Sequence, residues 1–287
     1  MRNFGIQLVL YSTLLVTPFV LGKWDHDHGD YIDLMPAYSV RMGAGGKWDL
    51  KNQYSKSQYF VEGFEMISDT QLIQSAGLYS GSEIQIMNID HNKKTTEVAR
   101  KATLNQQFFG EGCTAFNGFI YQMTYREGKV FKFNLETLKE EGTFDMPEEM
   151  IEGWGLTHDT DHLYASDGTE YIYVIDPNTF TVISQIEVYD PSEKKNVEYI
   201  NELEYVDGFI YANVLPLNII IKVDVKNGHV VNKYNLTKLK SVQTEKIKNT
   251  YWDSFNNVMN GIAYRKATNT FLVTGKNYDY VFEVQFK

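Results

Sequence analysis

The sequence predicts an all-β chain folded as a five-bladed β-propeller. Three observations carry that reading. Five segments open alike, at Glu62-Gly63, Glu111-Gly112, Trp154-Gly155, Asn201-Glu202 and Asn260-Gly261, four of them with glycine in second place. The openings recur about every 43 to 59 residues, the period of a four-stranded blade. Twenty Tyr and 17 Phe against 6 Pro suit strands. One domain is expected, because a blade cannot bury its faces without neighbours.

The elements follow in order. The first segment starts at Phe60 and continues through strands at Gln71–Gln74 and Glu83–Asp90. The second opens at Phe109, with strands at Phe119–Tyr125 and Lys129–Asn134. The third opens at Glu152, with Leu163–Asp167 and Tyr171–Asp176. The fourth opens at Ile200, with Phe209–Val214 and Ile219–Asp224, and the fifth at Met259, with Phe271–Thr274 and Tyr280–Phe286. Third strands end in Asp or Asn where a turn follows, because those side chains bond nearby backbone N–H groups. A fourth strand follows each turn except in the last segment. Tyr38–Met42 is expected to supply the missing strand and leave no open edge. Gly43–Lys47 reads as a hairpin turn, since it lacks the Lys-Ser/Thr of a phosphate loop. Thr237–Val258 interrupts the repeat and reads as a short helix and loop with a solvated lysine face.

Residues 1–22 read as a signal peptide, with Arg2 ahead of the apolar Phe4–Leu21 and a small residue at Gly22. Polar interruptions at Gln7, Ser12, Thr13 and Thr17 favour cleavage over a membrane anchor. Residues 23–37 are expected to be a flexible segment. Its Asp25, His26, Asp27, His28 and Asp30 read as a solvated tail rather than a metal site, since nothing apolar fixes them. Residues 38–287 form the propeller. Secretion or residence in the secretory lumen follows from the leader, with no stable membrane association, and Asn235-Leu236-Thr237 is a glycosylation sequon. The formal charge is −10 with no basic cluster, which excludes nucleic acid as a partner. Cys113 is the only cysteine, so no intrachain disulfide forms, and it reads as a small buried residue.

A propeller turns the first strand of each blade toward one axis. The five openings therefore make a ring at a channel mouth: two carboxylates, two carboxamides and an indole. Ten strings around that ring resemble one family in order and spacing: Phe60-Val61-Glu62-Gly63, Ala76-Gly77-Leu78-Tyr79, Phe109-Gly110-Glu111-Gly112, Tyr121-Gln122-Met123-Thr124, Gly153-Trp154-Gly155-Leu156-Thr157, Ser166-Asp167-Gly168, Asn201-Glu202-Leu203-Glu204, Tyr211-Ala212-Asn213-Val214, Asn260-Gly261-Ile262-Ala263-Tyr264 and Val273-Thr274-Gly275-Lys276. Together they resemble the plant and bacterial glutaminyl-peptide cyclotransferases over Phe60–Lys287. The resemblance implies a five-bladed propeller that converts the N-terminal glutamine of peptides and proteins to pyroglutamate with release of ammonia, using no metal or cofactor. It implies Glu111 as the acid–base carboxylate, Asn201 as the carboxamide holding the substrate amide, and Lys276 as the cation beside it. Phe60, Phe109 and Trp154 match aromatic walls, and Tyr125 keeps an aromatic wall where Trp is usual.

The chemistry agrees. The α-amine attacks the side-chain amide of its own residue, so proximity is built into the substrate. The site must hold the amine unprotonated, stabilise an oxyanion and protonate the leaving ammonia. Departures from the family pattern are Glu62 where Gln is usual, Gln74 where Glu is usual, Tyr125 for Trp, Leu215 for Trp, Asn218 for Asp and Tyr278 for Trp. Glu62 and Gln74 are exchanged, so one carboxylate and one carboxamide remain. Glu62 is expected to receive the substrate's α-amino group or to join Glu111 in proton transfer, and Leu215 to reshape the substrate slot. The rival reading is a non-catalytic secreted propeller that binds peptide N-termini. A metal-dependent redox or lactone-hydrolysing propeller is disfavoured because no His is expected on the inner ring.

Overall fold

The computed structural model describes residues 45–240, 242–243 and 256–287. The leader, the segment 23–37 and Tyr38–Met42 lie outside these residues. Strands dominate the described chain, and the one α-helix among them is α1 at Thr237–Lys240, with Leu239 buried beneath it.

Three sheets are four-stranded antiparallel meanders, each running through consecutive strands. One comprises β6 (Gly110–Phe116), β7 (Phe119–Thr124), β8 (Lys129–Asn134) and β9 (Glu140–Asp145). The next comprises β10 (Leu156–His158), β11 (Leu163–Ser166), β12 (Tyr171–Ile175) and β13 (Val182–Glu187). The third comprises β16 (Ile200–Val206), β17 (Phe209–Val214), β18 (Ile219–Asp224) and β19 (Val230–Asn235). A short hairpin of β14 (Tyr189–Asp190) and β15 (Lys195–Asn196) precedes that third sheet. The remaining strands join in an eight-stranded sheet. Its first half is β2 (Val61–Ser68), β3 (Gln71–Ala76), β4 (Glu83–Asp90) and β5 (Thr95–Thr103). Its second half is β1 (Trp48–Ser55), β22 (Tyr280–Phe286), β21 (Thr270–Gly275) and β20 (Met259–Arg265). The halves meet at a single parallel residue pair, Ser55 with Thr95.

The strand closing the last meander is therefore Trp48–Ser55 and not Tyr38–Met42. It pairs antiparallel with β22 from Trp48 opposite Phe286 to Ser55 opposite Tyr280. Side-chain anchoring selects this segment. Tyr54 is fully buried and donates to Glu283 at 2.9 Å, Asn52 donates to the same carboxylate at 2.6 Å, and the Trp48 indole donates to the Asn235 carbonyl at 2.8 Å. Residues 45–47 lead into β1 without a strand of their own, and the rest of the expected Gly43–Lys47 hairpin turn lies outside the described residues. The third segment also differs: its first strand starts at Leu156 rather than Glu152 and spans three residues.

The first strands form a closed cycle. β2 packs on β6, β6 on β10, β10 on β16, β16 on β20, and β20 back on β2. Apolar clusters fill the spaces between consecutive sheets. Phe64, Leu72 and Met87 meet Ala263, Leu272 and Val281 in one, and Ile73 and Ile86 meet Cys113 and Ile120 in the next. Cys113 is buried there, which pushes its thiol well up, as expected of a packing residue.

The glycines of the repeat are explained at this cycle. A Cβ on Gly112 would lie 2.4 Å from the Trp154 carbonyl oxygen, and one on Gly155 would lie 2.1 Å from the Asn201 carbonyl oxygen. Neighbouring first strands approach so closely that no side chain fits between them. Gly155→Ala is expected to destabilise by about 1–3 kcal/mol, since backbone must move to admit the methyl. A lower urea midpoint with unchanged slope would show it. In the fourth unit Glu202 replaces the glycine and spans the axis instead. Its carboxylate accepts Ile262 N–H at 2.7 Å and Phe64 N–H at 3.0 Å. Burial, with Glu204 beside it, pushes this carboxyl well above the usual range, and the two N–H donors oppose that rise.

No histidine stands at the five ring positions, although one lies further along a first strand. His158 ends β10, with Nδ1 at 2.8 Å from Thr114 Oγ1 and 3.7 Å from the Glu65 carboxylate. Its neighbours are structural, and no group of three metal-ligating side chains occurs among the described residues.

Candidate active site

Four of the five ring residues sit at register breaks. Glu62 is skipped in the β2–β3 ladder, Glu111 with Gly112 in β6–β7, Asn201 with Glu202 in β16–β17, and Asn260 with Gly261 in β20–β21. A bulge frees its residue from strand pairing and re-aims the side chain. Trp154, just before β10, holds the fifth position through N–H donation to the Ser166 carbonyl at 3.0 Å.

Glu62, Lys276 and Asn260 form one buried cluster. Lys276 Nζ donates to Glu62 Oε1 at 2.8 Å, and Asn260 Nδ2 donates to Glu62 Oε2 at 3.0 Å. Asn260 Nδ2 also reaches the Val61 carbonyl at 3.0 Å. Lys276 Nζ lies 4.7 Å from the centre of the Phe60 ring, so its charge is shared between a carboxylate and a π face. Glu111 hydrogen-bonds to Glu62 through their carboxyl groups. Burial raises both, and Glu111 rises further because the negative Glu62 lies beside it. Lys276 favours the charged form of Glu62, and the Glu62 charge in turn favours the protonated form of Glu111.

The aromatic wall assembles over this pair. Phe60 and Phe109 meet edge to face at 6.2 Å, Phe109 and Tyr125 meet tilted at 5.7 Å, and Tyr79 meets Phe109 edge to face at 5.4 Å. Trp154 packs its indole over Gly168, where a Cβ would lie 2.7 Å from the ring, and donates Nε1–H to Glu152 Oε2 at 2.9 Å. Two carboxamide oxygens of the ring, Asn201 Oδ1 and Asn260 Oδ1, are buried without a donor partner. A ligand bearing N–H groups fits such acceptors, since leaving them unsatisfied costs stability.

Other predicted residues lie apart from this cluster. Gln74 faces Phe64 across the β2–β3 ladder and donates to Gln85 at 2.8 Å, not to Glu62. Leu215 follows β17, half-buried, with its N–H on the Tyr199 carbonyl at 2.9 Å. Tyr278 and Asn218, two of the family departures, meet each other, with hydroxyl and amide oxygen 3.3 Å apart. The sequence reading missed Tyr79, Arg126 and Glu152. Tyr79 stood inside a matched string, so that signal existed. Arg126 and Glu152 had none, because their pairing depends on a turn and the connection between two successive sheets meeting in space.

A family model described as glutamine cyclotransferase matches residues 47–286. The chain belongs to the glutamine cyclotransferase family. A curated Arabidopsis thaliana protein called glutaminyl-peptide cyclotransferase is 27% identical over 268 residues, covering 90% of this chain and 79% of that protein. The glutaminyl cyclase of Myxococcus xanthus, known from its crystal structure, shares the fold with a TM-score of 0.71 at 24% identity, covering 84% of this chain and 97% of that one. This member of the glutamine cyclotransferase family carries a carboxylate, a carboxamide and a lysine at Glu111, Asn201 and Lys276, the positions singled out by the sequence resemblance. A second carboxylate, Glu62, is bonded to the first.

Proposed function

We propose that this chain is a five-bladed propeller that cyclises N-terminal glutamine on peptides and proteins, releasing ammonia without a metal or cofactor. The cycle of first strands supports the blade count, and the family match supports the reaction. The observation that carries the mechanism is the buried Glu111 beside a Lys276-paired Glu62, beneath the Phe60–Phe109–Tyr125 wall; burial and the Glu62 charge favour its protonated form.

The substrate's neutral α-amine attacks its own side-chain carboxamide carbon, forming the ring C–N bond. Lys276 lends positive charge to the oxyanion. Glu111 gives its proton to the departing nitrogen and recovers one from the attacking amine, so ammonia leaves and the carboxyl ends as it began. Asn201 Oδ1 accepts from the substrate amide. Glu62 is fully buried and already bonded three ways, which suits it to hold Lys276 and tune Glu111 rather than to touch the amine. The non-catalytic reading leaves this proton-bearing pair without a task.

Incubating the protein with a Gln-initiated peptide and following mass and ammonia tests the reading. Loss of one ammonia per peptide, absent when the N-terminus is acetylated, is expected. No release above the spontaneous rate from folded protein would overturn it. Glu62→Gln is expected to move the Glu111 limb of the pH–rate profile toward acid. It removes the negative neighbour that raises Glu111 and leaves Lys276 to lower it. An unmoved limb would show that Glu62 does not tune Glu111.

We place the enzyme in the secretory pathway on the strength of its leader. The exposed Asn235, the last residue of β19 and two positions before α1 begins, is the proposed glycan acceptor. A mass shift on glycosidase treatment of secreted protein would test this.

A further inference from the structure

A hydrogen-bonded belt outside the catalytic cluster runs around one side of the mouth. Tyr79 donates to Glu127 Oε1 at 2.8 Å, and Glu127 Oε2 accepts the Phe109 N–H at 3.2 Å. The adjacent Arg126 sets its guanidinium carbon over the Tyr125 ring, 4.4 Å from the ring centre. Its Nε donates to Glu152 Oε1 at 2.7 Å, while Glu152 Oε2 holds the Trp154 indole. Tyr125 and Trp154 are walls of the proposed glutamine slot, so the belt borders that slot directly.

Arg126 is thus pinned at two points, by a ring face and by a carboxylate. Its two terminal nitrogens take no hydrogen bond among the described residues, and its side chain stays 36% exposed. A guanidinium offers five N–H donors in a rigid fork, so one used at Nε leaves four in a fixed plane at the rim. Glu127 and Glu152 flank it and offset its charge, which favours a neutral carbonyl over a carboxylate as its ligand. Leu78 and Tyr79, and Ile151 next to Glu152, are exposed apolar side chains at or beside the belt in sequence.

We propose that Arg126 is a specificity-determining residue that donates to the backbone carbonyl of the residue following the substrate's glutamine. Glu152 positions it and Trp154 together. The site thereby selects peptides over isolated glutamine derivatives. This rests on the cyclisation reading above.

The test compares glutaminamide, which has no second residue, with Gln-Gly amide, which adds one carbonyl. In the unaltered enzyme KM for Gln-Gly amide is expected to be lower on the order of tenfold, as for a hydrogen bond from a charged donor. In Arg126→Met the ratio of the two KM values collapses toward one. In Glu152→Gln, which keeps an acceptor for the indole but frees the guanidinium, the ratio also falls. Equal KM values in the unaltered enzyme, or an unchanged ratio in Arg126→Met, would overturn the proposal. Calorimetric titration of both compounds reads the same ratio as Kd without turnover. Absent turnover with a preserved Kd ratio would count against cyclisation while supporting the Arg126 contact, and a Kd ratio of one would overturn that contact as well.

Discussion

Glu111→Gln is expected to lower kcat for a Gln-initiated peptide by on the order of 10²- to 10⁴-fold, the usual contribution of a positioned acid–base group. The exchange is nearly isosteric, and an amide N–H can still donate to Glu62. Folding is therefore expected to persist, with a thermal midpoint unchanged or raised, because a buried carboxyl has been removed from the Glu62 pair. What is lost is a proton that can be given and taken back. The measurement is single-turnover cyclisation alongside thermal unfolding of the same sample. Turnover within a factor of two of the unaltered enzyme would remove Glu111 from the mechanism and direct attention to Lys276 and Asn201.

Lys276→Met is expected to cost about 3–5 kcal/mol of folding stability, the range for breaking one partner out of a buried ion pair. Glu62 has no exposed surface and would be left with Asn260 and Glu111 alone. Methionine fills the volume, so the loss reflects charge rather than a cavity. The effect has a pH signature. Without the lysine, burial raises Glu62 further, since Lys276 is what opposes that rise. Below the ordinary glutamate range, folded and unfolded chains both hold the proton and the loss is small. As pH rises through that range the unfolded chain releases its proton while buried Glu62 keeps it. Stability therefore falls until the raised folded value is passed. The gap between the two proteins should widen from acid toward neutral pH in denaturant titrations. A constant gap would mean that Lys276 stabilises by packing its stem on Phe60 rather than by its charge.

Much of the architecture was legible because strands and turns are written locally. The predicted third strands Glu83–Asp90, Lys129–Asn134 and Ile219–Asp224 coincide with β4, β8 and β18. Alternating apolar residues and a closing Asp or Asn set those limits. The closing strand was misplaced because any short extended segment near the N-terminus can fill an edge. Only Tyr54 and Asn52 reaching Glu283, some 230 positions away in sequence, select Trp48–Ser55.

The site divides in the same way. Repetition in the sequence identified Glu62, Glu111, Trp154, Asn201 and Asn260 as one ring, because equivalent positions of equivalent units must share one axis. The order of residues alone also brought Lys276 and the Phe60 and Phe109 walls into view through the family strings. The sequence could not say that Lys276 pairs with Glu62 rather than Glu111, or that Gln74 turns to Gln85. It could not say that Arg126, Glu152 and Trp154 join into one belt. Those facts depend on bulges, which shift side chains by one register step, and on side chains crossing from one unit to the next. Local sequence determines which residues a strand carries. Packing between strands decides which of them meet, because burial makes a partner obligatory and the partner comes from a distant part of the chain.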